Sequence, residues 1–211
     1  MAAPALILLA GPNGAGKSTL YDGIIRPRFP DVPFVNADNH ERAELQNIAD
    51  PLARSEPARE WADTERAPFL SERRSFATET VFSHESKIAL IEEAKAAGFE
   101  VLLLIVCCDD VDLLVRRVAW HGKHAVPVAK IRERYPRTLV NLSRALPLAD
   151  IVHLYDNAGY PDAAGETASV HRLIAIVEGG VVAERTQEPL PNWACRVLAG
   201  ARNAEGRSLE S

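Results

Sequence analysis

The sequence predicts an α/β domain with a mainly parallel sheet flanked by helices and a C-terminal β-hairpin. Short apolar runs of strand length alternate with helical patterns along the chain, which is typical of βαβ units. A glycine-rich loop joins the first apolar run to the first helical segment. Near the end, two strand-like segments flank Gly179-Gly180, a pair that favours a tight hairpin turn.

The predicted elements follow from these patterns in chain order. The apolar runs predicted as strands lie at 5–10, 33–36, 75–80, 99–106, 151–155, 170–178 and 181–185. The predicted helices span 20–25, 39–48, 58–74, 83–97, 109–119 and 128–146. Ser83 is the expected N-cap of the helix at 83–97 and Gly98 its C-cap. Pro51 and Pro57 are expected to punctuate a loop.

Length and composition predict a single domain with a substantial core. Hydrophobic residues make up 47 % of the 211 residues, and we expect one domain over residues 1–199 and a flexible tail at 200–211. The formal net charge of −5 argues against a nucleic-acid binder that works by overall charge. No apolar run approaches the ~18 residues of a membrane span, so no membrane partner is expected. The net charge likewise leads us to expect no nucleic-acid partner.

Cysteine usage indicates a reducing compartment. The three cysteines, Cys107, Cys108 and Cys195, form an odd set without the spacing of a metal site. The first residues lack the charged region that precedes the apolar core of a signal peptide. We therefore expect a cytoplasmic protein in which Cys107 and Cys108 are small core residues.

The segment after the first strand has the pattern G-x-x-x-x-G-K-[ST] of a phosphate-binding loop. It reads Gly11-Pro12-Asn13-Gly14-Ala15-Gly16-Lys17-Ser18-Thr19. Its glycines let the backbone curl so that several N–H groups point at one phosphate, at the positive end of a helix dipole. Lys17 is expected to reach the β- and γ-phosphates and Ser18 to ligate Mg²⁺. The sequence thus predicts a P-loop NTPase or kinase fold that uses ATP and Mg²⁺, with a flexible glycine turn as the alternative.

Acidic residues follow three of the predicted strands. Asp38, Glu79 and Asp109 come soon after apolar runs, and the carboxyl ends of parallel strands meet at one edge of a sheet, where ligands bind. We therefore expect them at the edge that carries the phosphate-binding loop. Asp38 is the candidate general base for a substrate hydroxyl, or else a helix N-cap. Glu79 is expected to contact substrate or a Mg²⁺-bound water, or else to be a solvated strand end.

A basic cluster lies between the fourth and fifth predicted strands. Its members are Arg116, Arg117, Lys123, His124, Lys130, Arg132, Arg134 and Arg137. Lys130, Arg134 and Arg137 have the i, i+4, i+7 spacing of one helical face. The cluster can offset the charge of a transferring phosphoryl group, or it can be an ordinary solvated face.

Five further segments occur in a characteristic order. They read Phe34-Val35-Asn36-Ala37-Asp38, Ser75-Phe76-Ala77-Thr78-Glu79-Thr80-Val81-Phe82-Ser83, Gly122-Lys123-His124-Ala125-Val126-Pro127, Ile131-Arg132-Glu133-Arg134-Tyr135-Pro136-Arg137 and Tyr155-Asp156-Asn157. Over about residues 4–158, this order resembles the zeta-toxin family of small P-loop kinases. The loop alone also resembles an ABC transporter ATPase, but no LSGGQ-like signature follows it.

The resemblance implies an ATP-dependent kinase of a small-molecule hydroxyl. Zeta toxins phosphorylate the sugar of UDP-N-acetylglucosamine, and a cognate antitoxin blocks their nucleotide site. By analogy, the substrate is UDP-N-acetylglucosamine or another nucleotide-linked sugar, and an antitoxin protein is a partner. The resemblance makes Asp38 the catalytic base, and Arg117 and Arg134 phosphate clamps. The segment 122–127 becomes a lid over ATP that includes His124.

The resemblance also implies a substrate site, formed by Asn36, Glu79, Thr80 and Ser83. Two departures from the larger zeta toxins affect this site. His124 stands where they have a lid arginine, and Thr80-Val81-Phe82-Ser83 replaces their Gly-Thr-Gly-Arg segment. The identity of the substrate therefore stays open. A non-toxic metabolic kinase, an ABC-type or other P-loop ATPase, and a nucleotide-dependent binding module stay open as well.

Overall fold

The structure, a computed structural model, describes residues 3–120, 126–161, 167–168 and 171–202. The strands are β1 (Ala5–Ala10), β2 (Phe34–Val35), β3 (Phe76–Thr80), β4 (Glu100–Cys107), β5 (Ile151–Asp156), β6 (Tyr160–Pro161), β7 (Thr167–Ala168), β8 (Arg172–Glu178) and β9 (Val181–Arg185). The helices are α1 (Lys17–Leu20), α2 (Arg26–Arg28), α3 (Ala37–Glu44), α4 (Pro51–Ser71), α5 (Ser86–Ala96), α6 (Val111–Trp120), α7 (Val128–Ala145) and α8 (Asn192–Leu198). A π-helical turn at Tyr21–Ile25 joins α1 to α2, and a 3₁₀ turn at Leu146–Leu148 follows α7.

One mixed sheet organises the described residues. Its seven strands lie in the order β2-β3-β1-β4-β5-β8-β9. The pairings from β2 to β5 are parallel, and β8 and β9 are added antiparallel as a hairpin that turns at Gly179-Gly180. The predicted α/β class, with a mainly parallel sheet and a late hairpin, is confirmed. Strands β6 and β7 form a separate two-stranded ribbon.

The core lies on both faces of the central strands. Leu6, Leu8 and Leu9 of β1 have no exposed surface, and the central residues of β4 are buried as well, as expected for strands covered by helices on both faces. Trp193 of α8 is the largest fully buried side chain, and its indole Nε1 donates to Asp156 Oδ1 at 2.8 Å. Helix α8 was not predicted, and it covers part of this core.

Strand register brings the polar strand ends to one edge of the sheet. Ala10, the last residue of β1, pairs with Thr80 of β3 on one side and with Ile105 of β4 on the other. At the far side of β4, Cys107 pairs with Asp156, the last residue of β5. The phosphate-binding loop, the end of β3 and the residue after β5 therefore converge, as the strand-end argument predicted.

Several element boundaries differ from the prediction. Pro51 and Pro57 lie inside α4 rather than in a loop. A proline at the first helical position lacks only an N–H that would have no partner there, which explains why Pro51 can begin this helix. Ser83 is not a helix cap, because α5 begins at Ser86 and its N-cap position is Glu85, which makes no side-chain capping bond.

The C-terminal residues of the described chain are packed. Within the predicted tail 200–211, Ala201 is buried and Arg202 forms a β-bridge with Val181. Residues 203–211 lie outside the described residues. No helix in the described ranges is both long enough and apolar enough to cross a membrane.

Candidate active site

The phosphate-binding loop packs tightly against its neighbours, and this requires glycine. Gly11 and Gly14 adopt positive φ angles of 148° and 78°. A Cβ at Gly11 would lie 2.0 Å from the Val106 carbonyl oxygen, and one at Gly14 would lie 2.3 Å from the Leu114 carbonyl oxygen. The loop is therefore seated on β4 and α6 at distances that no side chain permits.

The loop offers free backbone donors. Ala15 N–H donates to the Pro12 carbonyl at 3.2 Å. By contrast, the N–H groups of Gly14, Gly16, Lys17 and Ser18 have no acceptor within the described part of the chain. Free N–H groups at the start of a helical run form an anion site, and the polyphosphate of ATP fits such a site.

Lys17 is held in place within the loop. Its side chain is 6 % exposed, its Nζ donates to the Pro12 carbonyl at 3.1 Å, and the same atom lies 3.6 Å from Glu79 Oε1. An ammonium group with two oxygen neighbours can contact a phosphate without moving far. The predicted position of Lys17, beside the phosphates, is consistent with this geometry.

Glu79 is a buried carboxylate at the end of β3. Its Oε2 accepts from Ser18 Oγ at 3.2 Å and from Asn36 Nδ2 at 3.1 Å. Its side chain is 9 % exposed, so it is not a solvated strand end. Burial raises the pKa of Glu79, the Lys17 ammonium opposes that rise, and the neighbouring Asp38 carboxylate adds to it. Glu79 therefore joins the phosphate-binding loop to the segment that carries Asp38.

Asn36, rather than Asp38, is the N-cap of α3. Its Oδ1 accepts from the N–H of Asp38 at 2.8 Å and from that of Asn39 at 3.1 Å. Asp38 lies in the first turn of α3, where the helix dipole stabilises a carboxylate. The capping alternative for Asp38 is thus wrong, and its carboxylate is available for another role.

A cavity of about 400 Å³ adjoins Asp38 and Ser18. Its other lining residues come from the first helical run and from α3 and β2: Tyr21, Asp22, Arg26, Phe34, Asn39 and Arg42. The rings of Tyr21 and Phe34 stack with centroids 3.7 Å apart and form an aromatic wall. The cavity is large enough for a small polar substrate beside the loop.

Thr80 and Ser83 lie on the segment after β3. Thr80 Oγ1 accepts from the N–H of Phe82 at 3.2 Å, and Phe82 has a positive φ of 64°. Asn141 of α7 donates to the Phe82 carbonyl at 3.1 Å, so α7 holds this segment. Ser83 lines a different cavity, of about 510 Å³, between this segment and α7. Ser83 is therefore not among the residues that line the cavity at Asp38.

Three of the six described members of the basic cluster are paired with acidic neighbours. The pairs are Arg116 with Asp110 at 3.3 Å, Arg132 with Asp112, and Arg137 with Glu133 at 3.1 Å. These side chains are more than half exposed, as expected for a solvated face. Arg134 is half-buried on α7 and has no hydrogen-bond or ion-pair partner in the described ranges.

Arg117 takes a different position from the rest of the cluster. Its Nη1 donates to the Asn157 carbonyl oxygen at 2.8 Å, so it anchors the residue that follows β5. Lys123, His124 and the rest of 121–125 lie outside the described residues, and with them most of the predicted lid. The clamp roles of Arg117 and Arg134 stay predictions.

Asp109 does not belong to the site. Its two carboxylate oxygens accept from the backbone N–H groups of Asn192 at 2.8 Å and Trp193 at 2.7 Å. Asp109 follows β4 at the predicted edge of the sheet, but its carboxylate caps the start of α8 instead of contributing to the site. That partner helix had no signal in the sequence pattern.

Two residues that sequence reasoning did not assign contact the loop from behind. Asn157 Nδ2 donates to the Ala15 carbonyl at 2.8 Å, and His171 Nε2 lies 2.9 Å from the Gly16 carbonyl oxygen. Asn157 belongs to one of the segments that carry the family resemblance, but the sequence assigns it no role. His171 had no motif, since it lies 155 residues from its partner.

No group of three or more His, Cys, Asp or Glu side chains within the described ranges could hold a metal ion. This is compatible with Mg²⁺, which usually binds through one or two protein oxygens, phosphates and water. Ser18 Oγ is the candidate protein ligand. Its proton is directed to Glu79, so its lone pairs stay available for a cation.

Comparison with solved structures identifies the fold. A chain of the AvrRxo1-ORF1:-ORF2 complex with ATP has a TM-score of 0.63 at 19 % identity, over 84 % of this chain and 59 % of that one. A chain of the PezAT chromosomal toxin–antitoxin system of Streptococcus pneumoniae has a TM-score of 0.56 at 16 % identity, and the match covers 74 % of this chain and 68 % of that one. A chain of the Pnkp1/Rnl/Hen1 RNA repair complex has a TM-score of 0.52 at 18 % identity, and the match covers 67 % of this chain and 46 % of that one.

The other comparisons found no match: no family model matches the sequence, and no curated protein matches it. This chain spans about three fifths of the AvrRxo1 chains it resembles. The structural likeness to chains of the PezAT and AvrRxo1 complexes confirms the predicted P-loop fold.

Proposed function

We propose that this chain is a kinase that transfers the γ-phosphoryl group of ATP to a hydroxyl of a small molecule. The observation that carries the proposal is one continuous network. Glu79 joins Lys17 and Ser18 of the phosphate-binding loop to Asn36, which in turn positions Asp38 at the cavity. An ATPase that releases phosphate to water has no need of a substrate cavity lined by a carboxylate and an aromatic pair.

In this proposal, Asp38 acts as the general base. A substrate hydroxyl in the 400 Å³ cavity lies beside the Asp38 carboxylate. Asp38 accepts its proton while the new oxygen–phosphorus bond forms, and the bond from phosphorus to the β–γ bridging oxygen breaks to release ADP. Hydroxyls are weak nucleophiles at neutral pH, so a positioned base accelerates this step.

Charge neutralisation is assigned to the loop and the basic cluster. The free N–H groups and Lys17 bind the phosphates. Arg134 and Arg117 are the candidates to offset the negative charge that develops on the transferring phosphoryl group. Ser18 is the proposed ligand of Mg²⁺, which when bound offsets charge on the β- and γ-phosphates. His124, in the lid segment, stays assigned to ATP.

The substrate and partner are proposed by analogy. UDP-N-acetylglucosamine or another nucleotide-linked sugar is the first candidate. The resemblance assigns Asn36, Glu79 and Thr80 to the acceptor, but other residues line the cavity at Asp38, and Ser83 lines the second cavity. The likeness to the PezAT toxin–antitoxin system and to the two-component AvrRxo1 complex with ATP supports a toxin with an antitoxin partner. On this proposal the protein acts in the cytoplasm on a small molecule, without nucleic acid or membrane.

The test is a screen of UDP-sugars, nucleosides and dinucleotides with ATP and Mg²⁺, read by mass spectrometry as the gain of one phosphate. Wild-type protein should phosphorylate one class of acceptor, and Lys17→Ala should not, because it removes the phosphate contact. Equal product from both proteins would contradict the assigned site. ATP hydrolysis without any phosphorylated acceptor would instead favour the P-loop ATPase alternative.

A further inference from the structure

The phosphate-binding loop is held from its rear side by two residues far away in the sequence. Asn157, which follows β5, donates from Nδ2 to the Ala15 carbonyl at 2.8 Å. His171, which precedes β8, has its Nε2 at 2.9 Å from the Gly16 carbonyl oxygen. Two consecutive carbonyls of the loop are therefore contacted by side chains that lie next to the neighbouring strands, and the Gly16 carbonyl also accepts from the Leu20 N–H at 3.0 Å.

The tautomer of His171 follows from this contact. A carbonyl oxygen only accepts, so Nε2 must carry the proton that it donates to Gly16. Burial lowers the pKa of His171 and the nearby Arg117 adds to this, while the bond to Gly16 opposes it. The ring is thus held as a neutral donor, and its 3.4 Å contact with Asn157 Nδ2 is a packing contact between two donors.

The fixed carbonyls determine where two N–H groups point. A peptide unit is planar and trans, so its N–H is directed opposite to its C=O. The Ala15 carbonyl shares a peptide unit with the Gly16 N–H, and the Gly16 carbonyl shares one with the Lys17 N–H. Both N–H groups lack an acceptor in the described ranges. Holding the carbonyls from behind therefore turns these donors toward the front of the loop, where phosphate binds.

Asn157 is itself fixed by backbone hydrogen bonds, and the loop has glycine where Asn157 and His171 approach it. Asn157 is fully buried, its backbone N–H donates to the Cys107 carbonyl at 2.9 Å, and Arg117 of α6 donates to its carbonyl at 2.8 Å. A Cβ at Gly16 would lie 2.5 Å from Asn157 Nδ2 and 3.0 Å from His171 Nε2. Only glycine at this position lets both side chains reach the loop backbone.

We propose that Asn157 and His171 form a positioning clamp that orients the Gly16 and Lys17 N–H groups for phosphate and thereby sets the affinity for ATP. The clamp rests on the proposed ATP-dependent function. It adds to that function a source of ATP affinity: two residues that contact the loop and not the nucleotide. A hydrogen bond of this kind corresponds to roughly a three- to tenfold change in affinity.

The test compares two amides of different length at the same position. His171→Gln places an amide N–H near the position of Nε2, whereas the side chain of His171→Asn is one methylene shorter and falls short of Gly16. We expect the dissociation constant for ATP, measured by calorimetry with Mg²⁺, to stay within about twofold of wild type for Gln and to rise roughly three- to tenfold for Asn. His153→Asn is the matched control, since His153 is also a half-buried histidine, on β5.

Steady-state kinetics with the acceptor found by the screen supply a second readout. The clamp predicts that His171→Asn raises KM for ATP while KM for the acceptor stays unchanged. Equal ATP affinities for the Gln, Asn and wild-type proteins would overturn the clamp while leaving the kinase proposal intact. Failure of wild type to bind ATP would instead overturn the proposed function. If His171→Asn does not fold, full ATP affinity in a folded His171→Leu variant would also overturn the clamp.

Discussion

The two sides of the phosphate-binding loop are constructed differently. On the β3 side, Lys17, Glu79 and Asn36 are buried and joined by contacts of 3.1–3.6 Å. On the helical side, three basic residues of α6 and α7 are exposed and pair with acids on the same surface, while Arg134 is half-buried without a partner in the described ranges. Strand ends hold their side chains in place before any ligand binds, whereas surface arginines can be recruited only when a charged group arrives. The first side therefore provides geometry, and the second provides charge.

The largest expected effect is on the geometric side. Asp38→Asn should keep the fold and ATP affinity, because Asn36 supplies the N-cap of α3 and Asp38 contributes only its carboxylate. It should lower kcat roughly 10²–10⁴-fold, the usual contribution of a general base. The measurement is kcat with the identified acceptor.

Asp22→Asn is the matched control for this prediction. Asp22 lines the same cavity but is paired with Arg26 at 3.7 Å, and both side chains are exposed. Its kcat should fall far less than that of Asp38→Asn, because Asp22 contributes part of the cavity wall and not the general base. Should Asp38→Asn retain the wild-type rate, the base would have to be sought elsewhere, first at Glu79.

On the charge side, Arg134 should matter and Arg137 should not. Arg134→Ala should lower kcat by roughly 10²-fold, as loss of one donor to a developing charge does, with little change in KM for ATP. Arg137→Ala removes an exposed arginine that is already paired with Glu133, one helical turn away, so its effect should be close to zero.

Rate measurements on these two variants decide whether the basic face takes part in catalysis. Equal kcat values for both would mean that it is only solvated surface. Arg117→Ala should also lower kcat, but Arg117 additionally holds Asn157. Arg134 is therefore the cleaner test of transition-state charge.

The two sides also differ in how far the sequence could predict them. The loop pattern and the strand ends located Lys17, Glu79 and Asp38, because local motifs and parallel strand direction determine those positions. Asn36 was expected beside Asp38, and its capping bonds follow from its preference for N-cap positions. What failed depended on distant partners: Asp109 caps α8, and α7 holds the segment that carries Ser83. Neither partner is within reach of a local pattern.

His171 illustrates the same limit inside the site. Its contact to Gly16 spans 155 residues and arises only once β8 is added beside β5. A single sequence gives no signal for such a pair. By contrast, Asn157 stood in a recognised segment, so its position was suggested although its contact to Ala15 was not.

The buried pair of Lys17 and Glu79 predicts a separation of stability from binding. Lys17→Ala leaves the Glu79 carboxylate buried without its cation. Breaking a buried ion pair in this way lowers the free energy of unfolding by at most about 3–5 kcal/mol. Protonation of Glu79 reduces this loss. Adding Glu79→Gln should recover most of that loss, because a neutral amide is cheaper to bury. ATP binding should stay lost in the double variant.

Chemical denaturation and calorimetry on the two variants provide the measurements. The expected pattern is recovered unfolding free energy with unrecovered ATP affinity. If the double variant is no more stable than Lys17→Ala, then the unpaired Glu79 carboxylate does not destabilise the folded protein. In that case the network would hold less of the site together than its distances indicate.

The smallest expected effect is the pH dependence of stability. Burial lowers the folded-state pKa of both His153 and His171 below the ordinary value of 6.5. Between the lowered pKa and 6.5 the unfolded chain binds more protons than the folded one, so the free energy of unfolding rises with pH there. Stability is therefore retained above pH 6.5 and is lost as the pH falls below it. Each histidine contributes a slope of at most about 1.4 kcal/mol per pH unit.

Glu79 acts in the opposite direction and can be separated by substitution. Its pKa is raised from 4.5, so its contribution is complete below 4.5 and is lost as the pH rises toward the folded value. Unfolding curves from pH 4 to 8 for wild type, His153→Gln and Glu79→Gln separate the two trends. His153→Gln should flatten the slope just below pH 6.5, and Glu79→Gln should leave that slope while removing the opposing one. A wild-type slope retained in His153→Gln would assign the acid sensitivity to His171, the residue behind the loop.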